Sequence, residues 1–397
     1  MTMNESNATS FVNTDVQIST FNDVEVYLFA FCIFLLSSPY FVWNLFSPLL
    51  LVSICSLLSF KNIKLSSTLN NIFFIVFVFF YFYIAYKDNS NLFGIIHLMG
   101  ICTILLTNEE FLKKVLTSYI FIFSITLVPS ILVFLIVYFF RVDLPHTFIE
   151  ALNIEKWYDY VRYPFLVQPN QIIDQFLPRF CGYYDEPGVV GTIAGVILLS
   201  SGFNLKKRVN IPIFIAGLLS FSFAFIIMTL VYGFIFVNSK YKIFIAIGIL
   251  GIVILFSENE LLDSYVFSRF QVENGQLTGD NREADEDFKG WYKEFSKTND
   301  YYLGLGGNTS QTFNSGGASY KNMVVDYGII SVSIIGIMLI AFAFSKFRFK
   351  KEFFIYLFIA FSVLYQRPFI TMYFYMFLIF SPLVFLSKPQ EEYQELN

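Results

Sequence analysis

Apolar runs recur along this chain from one end to the other, and that repetition removes almost every soluble fold from consideration. They lie near 24–38, 41–60, 69–86, 92–107, 114–140, 187–203, 210–222, 223–238, 241–257, 320–345, 352–366 and 368–387. A membrane-crossing helix needs roughly 20 mainly apolar residues, and several of these segments are near that length. Of the 397 residues, 56% are hydrophobic and 14% are charged, where a soluble domain carries about 25% charged residues. The expected fold is an all-α polytopic membrane protein of about twelve transmembrane helices. The 52 phenylalanines and 25 tyrosines suit lipid contact or packing between helices and indicate no chemistry.

Charge placement gives an orientation. Lysine and arginine concentrate in cytoplasmic loops of membrane proteins. With the N-terminus in the cytoplasm, the inner loops are 61–68, 107–113, 204–209, 239–240 and 346–351. These loops and their flanks carry Lys61, Lys64, Lys113, Lys114, Lys206, Lys207, Arg208, Lys240, Lys242, Lys346, Arg348, Lys350 and Lys351. The short outer loops hold little beyond Lys87 and Arg367. Merging 210–238 into one span would put basic 346–351 outside, so two spans are expected there. Residues 1–23 read as a flexible tail, and their lack of lysine and arginine excludes a signal-peptide n-region. Residues 24–388 form the transmembrane domain, and 389–397 a short acidic tail.

Two outer loops, 141–186 and 258–319, are long and rich in aromatic residues, and long loops in compact proteins usually carry function. Ionisable groups are nearly absent from the middle of the spans; His97 and Asp326 are the exceptions. An ion-coupled transporter places such groups at mid-membrane depth. The pattern here favours chemistry at the outer face instead. With only His97 and His146 as histidines, and Cys32, Cys55, Cys102 and Cys181 without metal spacing, no metal site is expected. Asp285-Glu286-Asp287 matches an Asp-x-Asp motif but lies in a mixed charge run typical of a solvated face.

The densest chemical cluster is 179–191, Arg-Phe-Cys-Gly-Tyr-Tyr-Asp-Glu-Pro-Gly-Val-Val-Gly. Pro187 suits the first helical turn, and Asp185 and Glu186 complement the dipole there. Beyond that capping role, one of the two carboxylates is a candidate general base toward a hydroxyl, with Arg179 near an anionic group. In the second loop, Arg269 and Arg282 flank a Gly-containing turn and together suit a diphosphate clamp; the alternative is two solvated arginines balancing the acids at 283–287. Leu303-Gly304-Leu305-Gly306-Gly307-Asn308 has no nucleotide-binding context and reads as a flexible turn. Lys321, at a helix start where the dipole disfavours it, suits an anionic ligand or snorkels to the interface. Arg367 adds one further outer arginine.

In its order of motifs the chain resembles the Wzy-type O-antigen polymerases, a group that includes O-antigen ligases and is related to GT-C glycosyltransferases. The resemblance rests on Arg179-x-x-Gly182-x-x-x-Glu186-Pro-Gly188-x-x-Gly191, Arg269 with Arg282 before Trp291, Gly304-Leu-Gly306, and Asn322 with Tyr327-Gly328. It implies a GT-C-like inner-membrane enzyme with both termini cytoplasmic and two large periplasmic loops. Its substrates would be undecaprenyl-diphosphate-linked oligosaccharides, joined without cofactor, metal or nucleic acid. Arg179, Arg269, Arg282, Lys321 and Arg367 would hold diphosphate, and Glu186 or Asp185 would be the base. Membrane lipid and a chain-length regulator protein are the implied partners, though no segment identifies the latter. The group's ligases carry a histidine where this chain has Tyr320-Lys321-Asn322, which favours polymerase over ligase. A transporter for lipid-linked sugars is the remaining rival and would need a polar path through the spans.

Overall fold

The computed structural model describes residues 22–43, 47–63, 68–150, 159–170, 178–236, 272–273, 276–277, 286–307, 309–310 and 320–386. Most of this is helix. In chain order the helices are α1 (Asp23–Leu36), α2 (Pro48–Lys61), α3 (Thr68–Lys87), α4 (Leu92–Cys102), α5 (Glu109–Phe134), α6 (Pro187–Ser200), α7 (Asn210–Leu219) and α8 (Phe223–Phe236). They continue as α9 (Glu286–Phe295), α10 (Asp300–Leu303), α11 (Tyr320–Phe347), α12 (Lys351–Gln366), α13 (Tyr373–Phe380) and α14 (Leu383–Leu386). Each apolar segment that falls within the described residues contains a helix; the segment 241–257 lies outside them. Among the described residues, two stretches are long and apolar enough to cross a membrane, Glu109–Phe139 and Tyr320–Phe347. The outward faces of several helices carry large apolar side chains, among them Leu57, Phe79, Phe121, Ile337 and Phe354. A helix apolar on all sides has no water-facing stripe.

Contacts between loops separate the bundle into two ends. At one end Lys61 pairs with Glu25 and Lys346 with Glu109, and the Asn108 N–H donates to the Asn62 carbonyl at 2.9 Å. At the other, the Tyr40 N–H donates to the Tyr183 carbonyl at 2.7 Å, and Lys87 Nζ donates to the Gly304 carbonyl at 2.7 Å. The starts of α1 and α5 and the ends of α2 and α11 therefore share the first end, together with Lys346 of the basic stretch 346–351. The 210–238 segment is two helices, broken by a turn at Ser220-Phe221-Ser222, where Phe221 has φ 45°.

The expectation of an all-α chain fails in the first long loop. Strands β1 (Thr147–Ile149), β2 (Tyr160–Tyr163) and β3 (Leu166–Pro169) form an antiparallel sheet in the order β1-β2-β3. Aromatic and β-branched residues favour strands, and Pro164-Phe165 makes the two-residue connection between Tyr163 and Leu166. Phe165 takes φ 64°, and Ser130 on α5 donates to its carbonyl at 2.5 Å. The second long loop holds a further small hairpin, β4 (Val272–Glu273) with β5 (Gln276–Leu277).

Helix α6 is the buried axis of the region that matters below. From Val189 to Ser200 every residue is buried, against α7, α8, α12 and α14. Its close approach to the α7–α8 hairpin depends on glycine. A Cβ at Gly191 would stand 2.0 Å from Ser222 Cβ, and one at Gly195 2.5 Å from Met228 Sδ. Met228 has a flexible end that can yield, whereas Ser222 Cβ moves only with its backbone. Gly191→Ala is expected to destabilise by about 1–3 kcal/mol through overpacking, and Gly195→Ala by less. Thermal unfolding of the two variants in detergent checks this ordering; equal midpoints would refute it.

Candidate functional site

The segment 178–186 is held residue by residue to different parts of the bundle. The Phe180 N–H donates to the Leu219 carbonyl at 2.9 Å, and the Val167 N–H of β3 donates to the Gly182 carbonyl at 2.8 Å. Tyr183 stacks on Tyr40 with ring centroids 5.7 Å apart. The Tyr184 hydroxyl meets Ser37 Oγ at 3.1 Å. Phe180, Cys181 and Tyr184 are fully buried. The chain thus enters α6 along one path, and the two acids before Pro187 have fixed positions.

Those acids meet a cation from a distant part of the sequence. Arg367 Nη2 donates to Glu186 Oε2, an ion pair whose side chains are 12% and 33% exposed. Arg367 follows the last turn of α12, and its guanidinium lies over the head of α6, where a Gly188 Cβ would stand 3.1 Å from Nη2. Burial works against the Arg367 charge, but Glu186, with Tyr375 and Asp185, outweighs it and raises the pKa above the ordinary guanidinium value. Asp185 is fixed through its main chain: the fully buried Tyr160 on β2 donates its hydroxyl to the Asp185 carbonyl at 2.9 Å. Trp43 packs edge-on against Tyr160 with centroids 5.4 Å apart.

Trp43 also walls a cleft of about 470 Å³, lined by Leu35, Leu51, His97, Met372 and Phe374 among others. The 367–372 connection therefore carries the guanidinium at one end and cleft wall at the other. It is held from below, since Tyr81 donates to the Ile370 carbonyl at 2.7 Å and His97 Nε2 meets the Thr371 carbonyl at 3.1 Å. A larger hollow of about 670 Å³, lined by Glu109, Glu110, Lys113 and Lys114, lies at the opposite end of the bundle, away from these groups.

The other candidate residues fall in several places. Arg179 donates from Nε to the Ser220 carbonyl at 3.0 Å, in the turn that packs beneath Gly191. Lys321, at the start of α11, sits over the Tyr292 ring with Nζ 5.1 Å from its centroid, a cation–π contact that gives this lysine a role at an otherwise unfavourable helix position. Arg269 and Arg282 lie outside the described residues. Arg367 was expected to hold diphosphate; its partner in the structure is Glu186. No group of three or more metal-capable side chains occurs among the described residues.

The glycine stretch 304–307 is not the flexible turn its composition suggests. Gly304 has φ 73° and Gly328, inside α11, has φ 83°. A Cβ at Gly304 would stand 2.4 Å from the Asp326 carbonyl oxygen, and one at Gly328 2.2 Å from the Tyr302 carbonyl oxygen. The two backbones touch directly. Leu305 and Gly306 N–H groups donate to the Val325 and Asp326 carbonyls at 2.8 and 2.9 Å. Ser310 donates from its N–H and Oγ to the two Asp326 carboxylate oxygens at 2.9 and 3.0 Å. From α3, Tyr83 donates to the Leu303 carbonyl. The Tyr327 hydroxyl donates to Asp88 Oδ2 at 3.3 Å. Sequence reasoning missed Asp88 and Ser310, because their partners lie on other elements.

No family model, curated protein or solved structure matches this chain.

Gly328→Ala is expected to release the 302–310 stretch, because both the φ value and the backbone contact exclude a methyl group. Amide hydrogen exchange of residues 303–307 should rise in that variant while α6 stays protected; unchanged exchange would show that the contact is not needed. Burial raises the Asp88 pKa, against the lowering effect of the Tyr327 hydroxyl. The fold therefore binds this proton more tightly than the unfolded chain, and the carboxylate becomes a cost as pH rises through the folded value. Asp88→Asn should raise the thermal midpoint at neutral pH, with the gain fading as pH falls toward about 4. A gain that persists at low pH would contradict this.

Proposed function

We propose that this protein is a polysaccharide polymerase of the bacterial inner membrane, with its site facing the periplasm. It joins oligosaccharide repeat units carried on undecaprenyl diphosphate, for O-antigen or a related surface glycan. The observation that carries this reading is the carboxylate–guanidinium pair of Glu186 and Arg367 at the head of α6, beside Asp185. A base for a sugar hydroxyl and a cation for a phosphate are the two groups that transfer from a lipid diphosphate requires.

In the proposed reaction Glu186 takes the proton from an acceptor hydroxyl. The acceptor oxygen bonds to the anomeric carbon of the donor. The bond from that carbon to the phosphate oxygen breaks, and its electron pair leaves with the lipid diphosphate. Arginine near the leaving oxygens stabilises that charge, in a region where apolar walls strengthen electrostatics. Arg367 is the cation paired with Glu186, and Arg179 is bonded to Ser220 in the turn that packs on Gly191. Arg269 and Arg282 are the loop arginines proposed to complete the clamp.

Glu186→Gln is expected to lower glycan polymerisation about 100-fold or more, the usual size of a general-base contribution. Arg367→Ala should do the same. The measurement is glycan length on gels, in a strain lacking the native gene and with expression matched. A polymerase defect leaves one repeat unit on the lipid A core, whereas a ligase defect accumulates lipid-linked polymer. Full-length glycan from the strain carrying no copy of the gene would overturn the polymerase reading, and full-length glycan from both variants would overturn the roles given to Glu186 and Arg367.

A further inference from the structure

Arg367 cannot serve two anions equally at once. Its Nη2 is engaged by Glu186 in a partly enclosed pair, and a carboxylate held by a guanidinium is a weak proton acceptor. A base in that state is masked. The groups facing Arg367 are Glu186 and Asp185 at the head of α6 and Tyr375 on α13, so the guanidinium is surrounded by acids and one phenol.

We infer that Arg367 exchanges partners: an incoming diphosphate displaces Glu186 from its guanidinium, and loss of that ion pair makes Glu186 the stronger proton acceptor. The inference rests on the polymerase reading and adds that binding of the donor's charged head and activation of the base are one event. Three features support it. The pair is formed side chain to side chain, so it can part without unfolding helix. Glu186 is the more exposed member at 33% against 12%, so it can swing toward solvent while Arg367 stays. Arg367 also sits at the N-terminal turn of α6, whose amides favour negative charge, so an anion replacing the carboxylate meets the same field.

The test uses the full-length protein in detergent and inorganic pyrophosphate as the probe, with binding measured by calorimetry. If Glu186 competes for the guanidinium, Glu186→Gln binds pyrophosphate about tenfold more tightly than the unaltered protein, since a charge-assisted competitor has been removed. Lowering the pH toward Glu186 protonation should narrow that difference. Arg367→Lys keeps a charge but loses the fork and should bind more weakly than the unaltered protein. Glu186→Gln keeps Arg367 hydrogen-bonded to a neutral acceptor, so it stays informative if Arg367 variants fail to fold. Equal or weaker pyrophosphate binding by Glu186→Gln overturns the exchange, as does absence of binding by both forms.

The outcome is separable from that of the function itself. Loss of glycan polymer in Glu186→Gln without any gain in pyrophosphate affinity leaves the polymerase reading standing and removes the exchange. A gain in affinity with full-length glycan keeps the exchange of partners at Arg367 and removes Glu186 as the base.

Discussion

A carboxylate and a guanidinium at the head of an apolar, fully buried helix have few alternatives to each other. Arg367, 12% exposed, is the more enclosed ion and would be left without this partner if Glu186 were lost, whereas Glu186, 33% exposed, keeps part of its hydration. Glu186 and Arg367 are separated by 181 positions in the chain. Their contact therefore ties the 367–372 connection to the start of α6, and with it the wall of the cleft at Met372. Tyr81 and His97 hold the far part of the same connection. The site is thus positioned by groups from α3, α4, α6 and the α12–α13 connection, none of which is adjacent to another in sequence except α3 and α4.

What the sequence reveals and what it hides follow the range of the interactions. Apolar runs are local, and they locate the helices. The Asp185-Glu186-Pro187-Gly188 run is local too, and it marks a helix start because fixed proline geometry and acids suit that position. Arg367 is visible as an outer arginine, yet its partner is not, since nothing in its neighbours points to Glu186. Asp88 and Ser310 are hidden for the same reason: each matters through Tyr327 or Asp326 on α11. The three-stranded sheet escapes because β1 and β2 pair although Ile149 and Tyr160 are not neighbours in sequence, and the apolar residues that build it read equally as interfacial aromatics. Glycines 304 and 328 are the sharpest case. Each is an ordinary glycine in sequence, and its positive φ and the close approach of the 302–304 and 326–328 backbones explain it.

The two long loops are attached to the bundle by different physics. The first is fastened by aromatic side chains and a hairpin: Tyr183 on Tyr40, Tyr160 against Trp43, and β3 bonded to Gly182. The end of the second is fastened by bare backbone, glycine against glycine, with Ser310 and Lys87 closing the contact. Aromatic packing tolerates small repacking of neighbours, since rings can tilt and slide. Backbone contact between two residues at positive φ tolerates none. The first attachment therefore holds the backbone of the acids at the head of α6, and the second pins the head of α11.

This division bears on how a reaction can run at one end of such a bundle. The buried helix interiors offer few polar groups to a substrate, so chemistry depends on irregular segments. At the head of α6 two conditions coincide: an arginine from another hairpin, and acids whose backbone is held by Tyr160 and by the 180–184 anchors. Rigid backbone with a movable side-chain pair is the arrangement that lets charge be rearranged without rearranging the fold. The alternative, a mobile backbone around a fixed ion pair, would require breaking the contacts of Tyr183, Tyr184 and Phe180, all buried, for each turnover. The packing favours motion of Glu186 over motion of the segment that carries it.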